Sequence, residues 1–247
     1  MVFKLLEKIS SFIFPHGACL LCLSTDNVNG ALCESCITAL PWIQNACIGC
    51  GLVLAKSRTG TLCGPCLIKP FPFDLVKVAF EYKWPCDRFV SQLKFKKKLE
   101  IATLLGHLMA TYFKTHLVER PSCLIPVPLH PQRLKERGFN QAYVLAKIIG
   151  RVLNIPVVWD FVKKTKQTRA QSSLSLDKRV LNLQRAFEIS SNFPTHFKSS
   201  VAIIDDVMTT GQTLSSLTLA LKAAGVERVE VWCACRTLKS TGVTHAT

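Results

Sequence analysis

Two adjacent carboxylates followed by a hydroxyl-rich glycine turn, Asp205-Asp206-Val207-Met208-Thr209-Thr210-Gly211-Gln212-Thr213, carry the richest chemistry in this chain. Thr209 to Thr213 would offer backbone N–H groups at a helix amino terminus, with hydroxyls beside them. Gly211 takes backbone angles that other residues resist, so a phosphate fits the turn. Asp205 and Asp206 would repel that phosphate; they suit neutral hydroxyls or a bound cation, and a ribose 5-phosphate supplies both kinds of group. The elements that must position the turn lie on either side of it. Val201 to Ile204 is a short, β-branched apolar run suited to a buried strand, and Thr213 to Ala224 repeats leucine and alanine at helical spacing. The turn therefore falls at the carboxyl end of a parallel strand, where open α/β sheets bind ligands. An Asp pair after a strand also serves P-loop nucleotidases, but the chain has no G-x-x-x-x-G-K-[ST] stretch. The structural alternative is a capped helix entry with no ligand.

Cysteine spacing is the second chemical signal. Eight of the 12 cysteines form four C-x-x-C pairs: Cys19/Cys22, Cys33/Cys36, Cys47/Cys50 and Cys63/Cys66. Each such turn lets two thiolates reach one tetrahedral ion, and two turns complete a four-sulfur shell that suits structural zinc, one or two ions in all. Joining the first pair to the second and the third to the fourth gives two short ribbons; the nearly equal gaps between successive pairs also permit interleaving. A secreted disulfide framework or a lone redox C-x-x-C explains regular repetition less well. Cys123, Cys233 and Cys235 lie in apolar runs and read as buried small hydrophobes. Thiols and zinc thiolates together imply a reducing compartment. Lys4, Glu7 and Lys8 interrupt the apolar amino-terminal stretch that a signal peptide would need. The expectation is a cytoplasmic protein, with peripheral placement at the cytoplasmic face of the inner membrane as an option. Residues 1–14 read as an amphipathic helix.

A formal net charge of +15 and a pI near 9.5 favour polyanionic partners. Tyr82, Lys83, Trp84, Arg88, Phe89, Lys94, Phe95, Lys96, Lys97 and Lys98 interleave cations with aromatics. That combination lets single-stranded nucleic acid pair its phosphates and stack its bases; the alternative puts the aromatics in the core and the lysines on a solvated face.

Prolines around residue 70 mark a boundary, giving a cysteine-rich module over residues 1–70 and a larger domain over 71–247. Within the latter, Asp74 to Tyr82 reads as a strand, Leu99 to Leu117 as a helix, Ser122 to Val127 as a strand, Phe139 to Leu153 as a helix and Val157 to Val162 as a third strand. The signature strand and helix follow, then a last strand from Arg228 to Cys235. The order defines an α/β fold, a parallel sheet with helices on its faces. Pro128 and Pro131 are expected to delay the next helix, leaving Arg133 and Arg137 on an exposed turn. Residues 163–179, with Lys163, Lys164, Lys166, Arg169 and Arg179, read as a mobile basic loop able to close over a pyrophosphate or to contact nucleic acid.

Val201 to Thr213 resembles the phosphoribosyl pyrophosphate (PRPP) signature of type I phosphoribosyltransferases. Together with P-V-P-L-H-P-Q-R-L-K-E-R-G-F-N-Q-A at 126–142, the block from Gln171 to Phe187 and the cysteine pairs, it makes the chain similar to the ComF family of competence proteins. That resemblance implies a phosphoribosyltransferase-like domain preceded by a double zinc ribbon, acting in natural transformation on imported DNA. It implies PRPP with Mg2+, or a related phosphoribosyl ligand, at Asp205 to Thr213, with Asp205 and Asp206 on the ribose and Thr209 to Thr213 on the 5-phosphate. Asp205, Asp206 and Arg137 become the candidate catalytic residues, Arg137 near pyrophosphate, with Asn140 and Gln141 at a functional helix start. Single-stranded DNA becomes a candidate partner, on Lys83, Arg88, Lys94, Lys96, Lys97, Lys163, Lys164 and Arg169, and other competence proteins at the inner membrane a further one. The alternative is an active phosphoribosyltransferase of nucleotide metabolism that releases pyrophosphate.

Overall fold

The computed structural model describes residues 17–55, 60–96, 98–165 and 186–237. The amphipathic stretch at residues 1–14, Lys97, Lys166, Arg169, Arg179 and the 171–185 part of the second sequence block lie outside the described residues.

In the amino-terminal module, β1 (Val28–Asn29) and β2 (Leu32–Cys33) form a small antiparallel hairpin that runs into α1 (Glu34–Thr38), and α2 (Gly64–Ile68) follows the last cysteine turn. Beyond it come β3 (Leu75–Glu81), α3 (Cys86–Lys96), α4 (Leu99–Thr115), β4 (Cys123–Pro126), α5 (Pro131–Arg137), α6 (Gln141–Leu153), β5 (Val162–Lys164), β6 (Phe187–Ile189), β7 (Ser200–Met208), α7 (Gln212–Ala223) and β8 (Arg228–Arg236). The main sheet has the order β3-β8-β7-β4, every pair parallel. Its two central strands are apolar over most of their length because helices cover both faces.

Strand alternation divides the core in two. Ala202, Ile204, Trp232 and Ala234 pack with Leu105, Met109, Leu145 and Ile149 of α4 and α6. Val201, Ile203, Val229 and Val231 pack with Leu214, Leu217 and Leu221 of α7. The amino-terminal module sits along β3: Ile43 N–H donates to Ala79 O at 2.9 Å, Glu81 N–H to Pro41 O at 2.9 Å and Val76 N–H to Ile48 O at 2.8 Å. No described helix is long and apolar enough to cross a membrane.

Three local expectations are corrected. The run from Val157 to Val162 does not become a third sheet strand. Val157 makes one parallel bridge to Leu124; the chain then turns at Asp160-Phe161, and Val162 onward pairs antiparallel with β6. Lys163 and Lys164 consequently belong to β5 rather than to a loop. Pro131 starts α5 instead of delaying it: at the first helical position the missing N–H has no internal acceptor to lose, and the fixed φ suits the helix. Arg133 and Arg137 are therefore helical, and Gly138 ends the helix at φ 80°.

Candidate functional site

β4 ends beside the middle of β7, with Ile204 paired to Pro126 and Val127 N–H donating to Ile204 O at 3.0 Å. The chain leaving β4 is thereby brought next to Asp205. Asn140 holds it there: its Nδ2 donates to Val127 O at 3.0 Å, and its Oδ1 caps α6 through Tyr143 N–H at 3.4 Å. Gln141 is buried behind it, with its amide nitrogen unpartnered among the described residues.

Asp206 is buried and ion-paired to Lys94, Oδ2 to Nζ 3.0 Å. Asp205 is half-buried and accepts the Asp206 N–H at 2.9 Å. Burial and the neighbouring Asp206 carboxylate push the Asp205 carboxyl up to about 7, against the N–H and the positive charges of Lys94 and Lys164. A carboxyl in that condition takes up a cation or a hydroxyl donor readily. Burial pulls the Lys164 ammonium down, Asp205 pulls it up, and Arg133 lowers it again, so all three charges share one corner of the site.

Past the acidic pair, Thr209 and Thr210 are exposed, and Gly211 stands at the start of α7 with φ 76°. A Cβ at Gly211 would lie 2.9 Å from Phe71 Cε1 and 3.0 Å from Met208 Cε, so both backbone angle and space require glycine. Gly211 has no side chain to cap the helix, and the one side-chain contact there is Gln212 N–H donating to Thr210 Oγ1 at a long 3.4 Å. The first-turn amides of α7 thus point toward the acidic pair's end of the sheet, the arrangement that receives an anion.

Arg236, which sequence reasoning missed, closes the floor. It is buried; Nε donates to Cys50 O at 2.8 Å, and Nη1 to Met208 O and Thr237 O at 2.9 Å each and also to Thr209 O. Its signal was an arginine ending an apolar strand beside the signature strand.

The eight module cysteines gather in sequential pairs. Cys19, Cys22, Cys33 and Cys36 form one group and Cys47, Cys50, Cys63 and Cys66 the other, with sulfurs in each within 4.8 Å of one another. The Cys22–Cys33 and Cys50–Cys63 sulfur separations are 3.6 Å, close to the edge of a tetrahedron with zinc about 2.3 Å from each sulfur. Both far exceed a disulfide bond of about 2.05 Å. Burial raises the Cys19 thiol, but backbone N–H groups of Cys22, Cys33 and Leu21 outweigh it and bring the group down to about 6. Burial and the neighbouring thiols push Cys36 and Cys66 well up. Such a cluster ionises fully only around a cation, so the residues fit structural zinc, which would cross-link each pair of turns.

The remaining basic and aromatic residues divide. Lys94 and Lys164, expected on a nucleic-acid surface, turn toward the acidic pair. Phe89 is buried, whereas Tyr82, Trp84 and Phe95 are exposed, as are Lys83, Arg88 and Lys96 in the same stretch and Lys163 on β5. Lys83 is held by Glu81 at 3.0 Å. Arg137 closes α5 on the connection leaving β4.

A parallel sheet with this carboxyl-end turn, fused to two four-cysteine knuckles, defines a phosphoribosyltransferase-domain protein with a double zinc ribbon. Family models agree: Phosphoribosyl transferase domain matches residues 140–246 and Double zinc ribbon domain residues 9–67. The chain is 34% identical over 227 residues to the DNA utilization protein YhgH of Shigella flexneri, covering 90% of this chain and 98% of that one. It is 31% identical over 227 residues to Competence protein F of Haemophilus influenzae, covering 89% and 96%. Competence protein ComFC of Bacillus subtilis is 29% identical over 126 residues, 51% of this chain and 48% of that one. The chain belongs to the ComF family.

Proposed function

We propose that this chain is a cytoplasmic competence protein of DNA uptake that holds PRPP, or a related phosphoribosyl ligand, together with single-stranded DNA. The carrying observation is the convergence of Asp205, Asp206, the glycine-led start of α7 and the charges of Lys94, Lys164 and Arg133 at one end of the sheet. Asp205 and Asp206 take the ribose hydroxyls, and the Thr209 to Thr213 backbone takes the 5-phosphate. Lys164, Arg133 and Arg137 face the pyrophosphate. Mg2+, where it binds, would supply positive charge to the pyrophosphate. The relatives' names, DNA utilization protein and competence protein, support the assignment to DNA uptake. Exposed Trp84, Tyr82 and Phe95, with Arg88, Lys83, Lys96 and Lys163, supply stacking faces and cations for a single strand.

Calorimetric titration with PRPP and Mg2+ is expected to show binding that Asp205→Asn with Asp206→Asn weakens by about tenfold or more, the loss typical of removing charge-assisted hydrogen bonds. An unstructured oligonucleotide is expected to bind with an affinity that falls steeply with salt and falls again in Trp84→Ala with Phe95→Ala. Salt-independent binding would remove the nucleic-acid half of the proposal. Pyrophosphate release from PRPP in the presence of an acceptor panel would move the assignment to a turning-over transferase.

A further inference from the structure

We infer that the second zinc group is a positioning element of the ligand loop, with Arg236 as the link between them. The inference rests on the phosphoribosyl reading for the identity of the ligand, but the link itself stands on the chain's own contacts.

The guanidinium of Arg236 reaches two places at once. Its Nε holds the carbonyl of Cys50, itself one of the four sulfur ligands, and its Nη1 holds the carbonyls of Met208 and Thr209 at the entry of the phosphate turn. The Cys50 carbonyl owes its direction to the cysteine turn. Gly51 N–H returns to Cys47 O at 2.8 Å, and Cys63 N–H donates to Cys47 Sγ at 3.2 Å. Zinc on the four sulfurs, which already lie within 4.8 Å of one another, would fix that turn.

A second contact runs in parallel. Phe71, downstream of Cys66, stacks on Phe73 at 4.9 Å and lies against Gly211, the residue that begins α7. Phe73, the four cysteines, Met208 and Leu214 share one core. The first zinc group has no part in that core. Cys19 and Cys33 pack with Leu32, Leu40 and Phe80 on the α4 side of the sheet.

Two sites joined through one rigid turn are thermodynamically linked, and the linkage is reciprocal. Zinc in the second group holds the loop in its ligand-ready form, and a ligand in the loop slows zinc loss from the second group. The first group stands outside this coupling.

Hydrogen–deuterium exchange on the full chain tests the link directly. The background is Cys22→Ser with Cys36→Ser, which leaves only the second zinc to be stripped by chelator. Stripping is expected to accelerate exchange at residues 208–213 by about tenfold or more while residues 201–204 stay protected. The background substitutions alone are expected to leave 208–213 unchanged. Arg236→Lys, with its zinc content verified by metal analysis, is expected to speed exchange in the same segment. Unchanged loop exchange after stripping would overturn the inference, as would equal acceleration at 201–204 or an equal response to losing the first zinc. PRPP with Mg2+ is then expected to slow zinc transfer to a chromogenic chelator from the second group only. If PRPP does not bind yet stripping still frees the loop, the phosphoribosyl reading fails and the link stands. If PRPP binds and the loop ignores the metal, the link fails alone.

Discussion

The two four-cysteine groups repeat one sequence device in two different surroundings. In the first, Cys22 is exposed and Cys36 half-buried, and the surrounding core belongs to the face covered by α4 and α6. In the second, all four cysteines are buried, and their core contains Met208 and Leu214 from the two ends of the phosphate turn. Equal metal chemistry thus has unequal reach. One group fastens a hairpin to the sheet; the other forms the wall against which the ligand loop is built.

The contrast is sharpest where metal is lost. Cys66→Ser is expected to lower the melting temperature by about 10 °C or more, since structural zinc carries several kcal/mol even after much of its apparent peptide value is discounted. Cys36→Ser is expected to cost at most about half as much. Scanning calorimetry with metal analysis gives the order, and a reversed order would break the comparison. A smaller effect belongs to Gly211→Ala, about 1–3 kcal/mol from the left-handed backbone and the approach to Phe71. Adding Phe71→Ala should relieve the contact and leave the backbone strain, so the pair is expected to be non-additive in denaturant melts. Strict additivity would detach the loop from the second ribbon.

Asp205→Asn is the mildest perturbation and acts on the site independently of either metal. In the folded chain Asp205 keeps its proton up to about pH 7, because burial and Asp206 disfavour its charge. An unfolded aspartate loses it near 3.9. The folded state therefore binds more protons between those values, and its stability declines as pH rises through that window, then levels off. Asp205→Asn removes the decline: the melting temperature is expected to rise by a few degrees at pH 8, about 2–4 °C per kcal/mol relieved, and to change little at pH 4. A pH-independent difference would contradict the charge argument.

Much of the frame was legible in the sequence because it is local. The β7-turn-α7 unit, the C-x-x-C pairs and the helices around Leu99 to Thr115 and Gln141 to Leu153 each declare themselves within a short window. Free, buried Cys123, Cys233 and Cys235 followed from their apolar neighbours. What escaped is nonlocal. Lys94 looks like one cation in a basic run, and only the packing of α3 against the sheet points it at Asp206. Arg236 looks like a strand terminus until the Cys50 carbonyl appears beside it. The run from Val157 to Val162 has the right residue types for a strand, yet its turn at Asp160 diverts it to pair with β6.

The backbone contacts of residues 41–48 with β3 have a consequence for solubility. β3 is a border strand of the main sheet, and the carbonyls of Pro41 and Ile48 and the amide of Ile43 occupy polar groups that would otherwise face outward. An unguarded parallel strand carrying Val76, Val78 and Phe80 is a template for another chain's strand. The amino-terminal module is therefore also a cover, and a chain begun just before β3 would meet its own copies edge to edge.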